Sequence, residues 1–150
     1  MRPQGGRAVL GGFVGTITIT MMMYWVGPMM GLMRMDIAEG LGMTLGIGWT
    51  GGLIAHFMNG TIIFPLAYVF VVHRVLPGGP AVKGLVWGAV LWLTAQLVVM
   101  PMMGGGVFSA NMGGAMAVGG SLMGHLAYGV LLGSIAGPVV PAAGGSRVLA

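Results

Sequence analysis

The sequence predicts an all-α integral membrane protein, with four transmembrane helices arranged as two parallel-related two-helix repeats. Three observations predict it. Charged residues make up 5% of the 150 and hydrophobic ones 57%, whereas a soluble domain is about 25% charged. No Asp, Glu, Lys or Arg occurs between Arg7 and Arg34, between Glu39 and Arg74, or between Lys83 and Arg147, and each gap exceeds the roughly 20 residues that cross a bilayer. Finally, Pro28-Met29-Met30-Gly31 recurs as Pro101-Met102-Met103-Gly104, with Gly15 and Gly88 equally far upstream. Further along, Met43, Gly51, Leu53, His56 and Gly60 match Met112, Gly120, Leu122, His125 and Gly129 at one constant offset. The shared order points to an internal duplication with a shorter connector in the second copy.

The first charge-free stretch fits one helix over residues 8–30. Arg2 and Arg7 give it a basic start, but the apolar run is longer than a signal-peptide core and lacks a small-x-small cleavage site, so it reads as a retained span. From Arg34 to Gly42, the apolar Ile37 and Leu41 among Asp36 and Glu39 fit either a short interfacial helix or a plain loop. Arg34 nearby favours a local ion pair or a helix-end role for those two acids over paired-carboxylate chemistry. The second span covers 43–74, and Pro65 within it predicts a bend near 60–65 rather than a break, because neighbouring helices re-satisfy the freed carbonyl. Leu76-Pro77-Gly78-Gly79-Pro80 is the turn between halves. The third stretch is too long for one crossing, and Gly104-Gly105-Gly106 divides it into spans of 84–103 and 111–137. The tail, 138–150, reads as irregular. The chain is thus one transmembrane domain, with repeat 1 over 8–76 and repeat 2 over 83–137.

Arg2, Arg7, Arg74, Lys83 and Arg147 fall on the side of the termini. Positive residues favour the cytoplasm, so both termini are predicted inside a bacterial inner membrane. With two spans per repeat, the halves share one orientation and the pseudo-two-fold axis runs along the membrane normal. The pI near 10.4 therefore reports topology, and no nucleic-acid partner is implied. The absence of cysteine excludes disulfides, thiolate zinc sites and iron–sulfur ligation by this chain.

His56 and His125 are the candidate site, because a titratable side chain in a lipid-spanning helix is costly and marks function by default. Residues four before and after them are Gly52 and Gly60 in one copy and Ser121 and Gly129 in the other, so each histidine lies on a small-His-small face. Such faces let helices pack closely, with Thr16, Thr18, Thr20, Thr94 or Gln96 as hydrogen-bond partners for the imidazoles. The alternative is that both imidazoles bind one centre, a b-type haem or a transition-metal ion. His73, beside Arg74, reads as a solvated interfacial residue.

Sixteen methionines suggest soft-metal binding, but methionine is also a flexible gap-filler and no dedicated metal site is predicted. Met29, Met30, Met102 and Met103 at the outer Pro-Met-Met-Gly ends are where thioethers would gather. Tyr24, Trp25, Trp49 and Phe108 fit an interfacial aromatic belt. No phosphate-cradling loop, nucleophile elbow or zinc-protease motif is present, so the chain is not expected to be an enzyme.

His56 early in a long helix, Tyr68, Lys83-Gly84, Ala95-Gln96, Pro101 to Gly104 and Gly124-His125-Leu126 together resemble the YagU-like family of small bacterial inner-membrane proteins. Met35-Asp36-Ile37-Ala38 in the first half matches less closely. The resemblance implies membrane location and importance of both histidines, with no reaction attached. The leading expectation is a non-catalytic accessory subunit of a respiratory or photosynthetic complex, or a homo-oligomer, docking through glycine-lined faces in the bilayer. A haem- or metal-binding electron-transfer subunit using His56 and His125 is the alternative, and an oligomeric transporter or channel the third reading.

Overall fold

The computed structural model describes residues 5–137, and all their regular structure is helical. The tail at 138–150, with Arg147, and Arg2 at the other end lie outside the described residues. Four helices are long and apolar enough to cross a membrane: α1 (Gly5–Met29), α3 (Gly48–Val75), α4 (Pro80–Met102) and α5 (Gly114–Ala136). The chain is a membrane protein. Between α1 and α3 lies a short helix, α2 (Ile37–Leu45), so the connector is helical.

Asp36 starts α2 as its N-cap, its side chain accepting from the Glu39 amide, which satisfies one of the orphan donors of the first turn. Gly46 in the left-handed region (φ 69) ends it. Residues 43–45, expected to open the second span, therefore close the connector helix instead. α2 folds back against the first turns of α3, where a β-carbon at Gly52 would overlap the carbonyl oxygen of Ala38. The last span likewise begins at Gly114, after a loop in which Phe108 and Ser109 take positive φ.

The proline-bearing helices change winding without breaking. Three of the four π-turns among the described residues, Met22–Val26, Asn59–Ile63 and Ala95–Val99, end two residues before a proline, Pro28, Pro65 and Pro101, whereas the fourth, Tyr68–Val72, does not. Proline has no N–H and its ring crowds the carbonyl four residues back. Widening the turn relieves that crowding, which is why the predicted bend near Pro65 takes this form. In α3 the Phe64 amide reaches back to Asn59, and the next amide in that pattern belongs to Pro65 and does not exist. The Gly60 carbonyl is thereby released, and the buried Tyr128 hydroxyl of α5 donates to it at 2.6 Å.

α1 and α4 share further detail at the spacing that separates Pro28 from Pro101. Their π-turns match, Gly31 (φ 82) matches Gly104 (φ 81), and the bond from the Leu32 amide to Gly27 matches that from Gly105 to Met100.

Glycines decide which helices touch. α4 and α5 meet backbone to backbone: a β-carbon at Gly84 would overlap the Gly129 carbonyl, one at Gly129 the Gly84 carbonyl, and one at Gly133 the Pro80 carbonyl. α1 lies between α3 and α5, with Gly12 against Pro65 and Gly15 against Tyr128. In contrast, the main contact of α3 with α4 joins Tyr68–Val72 to the Pro80–Thr94 stretch, near the turn between halves. The α1–α5 seam is extensive and its counterpart between α3 and α4 is not, and a cavity occupies the difference.

Candidate functional site: a cavity lined by both histidines

The cavity has a volume of about 240 Å³ and is walled by all four spanning helices and the α2 connector. Both His56 of α3 and His125 of α5 line it. Most of the remaining wall is apolar, and methionine is prominent in it, with Met22, Met23, Met30, Met35, Met100 and Met123 all present. The wall is incomplete, since Thr94, Met30 and Met33 line the space and are exposed to the surroundings.

The hydrogen-bond network assigns a tautomer to each imidazole. Thr20 Oγ1 lies 2.6 Å from the Thr16 carbonyl, an oxygen that only accepts, so the threonine proton goes there. His56 Nε2, 2.9 Å from the same Oγ1, must then be the donor. His125 Nδ1 is 2.8 Å from the Ser121 carbonyl and donates to it for the same reason, with the Ser121 hydroxyl at 3.4 Å. In a neutral imidazole one nitrogen donates and the other accepts. His56 Nδ1 and His125 Nε2 are therefore the lone-pair nitrogens. Among the described residues neither has a hydrogen-bond partner, and neither belongs to the buried unpartnered atoms.

Three of the four wall hydroxyls are committed, and the fourth, of Ser121, has no acceptor among the described residues. Thr16 donates to Gly12 at 2.7 Å, Thr94 to Val90 at 3.0 Å and Tyr128 to Gly60. Asn59 also lines the cavity, and its side-chain amide has no hydrogen-bonded partner among the described residues. Of the partners expected for the imidazoles, Thr20 is used, whereas Thr16, Thr18 and Thr94 bond to carbonyls of their own helix and the Gln96 carbonyl accepts from Ser109.

The small residues flanking the histidines are engaged inside the chain. Gly52 meets α2, Gly60 meets Thr16 of α1, and Gly129 meets α4. The outer Pro-Met-Met-Gly ends do not gather their thioethers: Met29 is 86% and Met102 61% exposed, Met30 lines the cavity, and Met103 covers Gly40. Among the described residues no group of three or more His, Cys, Asp or Glu is placed to hold a metal. The cavity is also smaller than the roughly 300–1,000 Å³ of drug-sized pockets, which suits one ring better than a porphyrin.

Two expectations about polar residues are corrected. His73 is buried rather than solvated, because Tyr68 packs edge-on to its ring and the Gly137 carbonyl at the end of α5 lies 3.1 Å away, while Lys83 bonds the His73 carbonyl at 2.8 Å. Tyr24 and Trp49 are not merely belt residues. Tyr24 donates its hydroxyl to Asp36, and the Trp49 indole N–H lies 3.1 Å from Asp36 Oδ2. Arg34 forms no ion pair with Asp36 and sits over the Tyr24 ring at 5.1 Å. Partial burial acts to raise the Asp36 carboxyl, but the bonds from Tyr24, the Glu39 amide, Trp49 and the Ala38 amide outweigh it and hold the group below its usual 3.8.

Sequence reasoning did not find Tyr128 or Asn59 as wall residues. A signal for Tyr128 existed: a tyrosine deep in an apolar span needs an acceptor, and Pro65 releases one. No curated protein and no solved structure matches the chain. A family profile does, over residues 3–142, and the chain accordingly belongs to DUF6789, a family of unknown function.

Proposed function

We propose that this protein is an intramembrane binding protein that holds a small lipophilic molecule in the His56/His125 cavity. The observation that carries the reading is one apolar, partly open cavity into which two helices each place an imidazole with an unpartnered nitrogen. Such a combination of apolar wall and few polar groups is typical of ligand sites. The ligand would enter from the bilayer, and the same reading places the chain in a bacterial inner membrane with both termini in the cytoplasm, the orientation favoured by Arg7, Arg74 and Lys83. Matching π-turns in α1 and α4 support an origin by duplication, with the two halves since diverged in packing. An accessory-subunit role has less support, because Gly52, Gly60 and Gly129 meet helices of the same chain.

The test is extraction and mass spectrometry of small molecules that remain bound after purification in lipid nanodiscs, compared with Ala117→Phe, which places a ring in the cavity wall. Wild type should retain a lipophilic species that the variant loses while keeping its thermal stability. Equal retention by both proteins, or none by wild type, would defeat the reading.

A further inference from the structure

We propose that the cavity recognises a lipid-soluble aromatic diol, a hydroquinone, whose two hydroxyl groups donate to His56 Nδ1 and His125 Nε2. The inference rests on the binding function proposed above and adds the chemistry of the ligand. Three observations lead to it.

Both imidazoles direct their N–H into the protein, His56 to Thr20 and His125 to the Ser121 carbonyl. What each leaves available is an acceptor. Thr16, Thr94 and Tyr128 have committed their protons to backbone carbonyls, and the Ser121 hydroxyl remains a wall donor without an acceptor among the described residues. The Asn59 amide can bond in either sense. A ligand that brings O–H donors satisfies this wall, while one that brings only carbonyl or ether oxygens leaves both imidazole nitrogens unpaired.

Size and wall composition argue for a ring. A cavity of about 150 Å³ is known to hold benzene, so 240 Å³ accommodates a substituted single ring, with a tail leaving through the incomplete wall beside Thr94. The polarizable methionine thioethers around it make favourable contacts with aromatic edges. A bare metal ion fits less well, since it draws its nitrogen ligands to about 2 Å and would leave most of the space empty.

The experiment measures binding of hexylhydroquinone, its dimethyl ether and the corresponding quinone to the full chain in nanodiscs under anaerobic conditions. Hexylhydroquinone should bind at least about tenfold more tightly than either analogue, the loss expected for one or two unmade hydrogen bonds. The advantage should shrink in His56→Phe and in His125→Phe, with Gly119→Ala, an open position, as the control. Imidazole ¹⁵N resonances of wild type should shift at the unprotonated nitrogens on adding hexylhydroquinone, a readout that does not depend on variants folding. Equal binding of hydroquinone and dimethyl ether would overturn donor recognition and leave the cavity as a binding site. Equal binding of the quinone, or a preference unchanged in both histidine variants, would also overturn it. No binding of any of the three, with no ¹⁵N shift, would overturn this inference; if wild type also retains no lipophilic species on purification, the binding function falls with it.

Discussion

His56 and His125 line one cavity yet carry their protons on opposite ring nitrogens, Nε2 in His56 and Nδ1 in His125. The difference comes from their acceptors. Thr20 reaches His56 from another helix, whereas His125 bonds back to the carbonyl one turn earlier on its own helix. ¹⁵N spectra of the histidine-labelled protein should show three imidazoles, with His56 and His73 protonated at Nε2, the latter toward the Gly137 carbonyl, and His125 alone at Nδ1. Thr20→Val removes the acceptor of His56 and should release that ring alone, leaving the His125 signals in place.

The Gly84–Gly129 seam predicts a steep steric response. Gly84→Leu or Gly129→Leu drives a side chain into a carbonyl of the facing helix, and overpacking of this kind costs about 1–3 kcal/mol or more. Thermal unfolding in detergent should show a large loss for either variant. Gly119→Ala, where nothing lies within 4 Å, should unfold like wild type.

Asp36 ties three elements together, capping α2 while accepting from Tyr24 of α1 and Trp49 of α3. Asp36→Ala should cost about 0.5–2 kcal/mol for the cap alone and shift Trp49 fluorescence. The pH dependence follows from the direction of its pKa. A carboxyl held below 3.8 in the folded protein stabilises the fold above that value, and the contribution disappears as pH falls through the lower folded pKa. Asp36→Asn keeps a capping side chain and should flatten this acid limb in unfolding measured against pH.

Tyr128 and Pro65 should be coupled although they lie on different helices. Tyr128→Phe leaves the Gly60 carbonyl buried without its donor, at a cost of about 1–3 kcal/mol. Pro65→Ala restores a backbone N–H to that stretch of α3, so the tyrosine should matter less in its presence. A double-mutant cycle on unfolding free energy reads the coupling, and simple additivity would count against the released-carbonyl account.

Charge-free runs made the four spans legible in the sequence, since hydrocarbon imposes composition on any helix that crosses it. The histidines were legible for the same reason. Their tautomers were not, because those depend on where Thr20 and the Ser121 carbonyl lie in space. Asp36 signalled a helix end by its place before Ile37, but its ties to Tyr24 and Trp49 join residues on different helices and leave no local pattern. His73 was misread because Arg74 beside it suggested water, whereas the fold brings Gly137 and Tyr68 over the ring. The glycine faces were visible as faces, and only the assembled chain shows that they meet its own helices.

A π-turn holds one more residue than an α-turn does over the same stretch of axis, so α1, α3 and α4 each carry a residue of slack beside the cavity, at Met22–Val26, Asn59–Ile63 and Ala95–Val99. Drawing in that slack would turn everything beyond it by about a hundred degrees, as one residue does in an α-helix. Pro28, Pro65 and Pro101 sit just past these points. The cavity wall thus stores an extra residue in three of its four spanning helices, each beside a proline ring rather than a contact with the occupant.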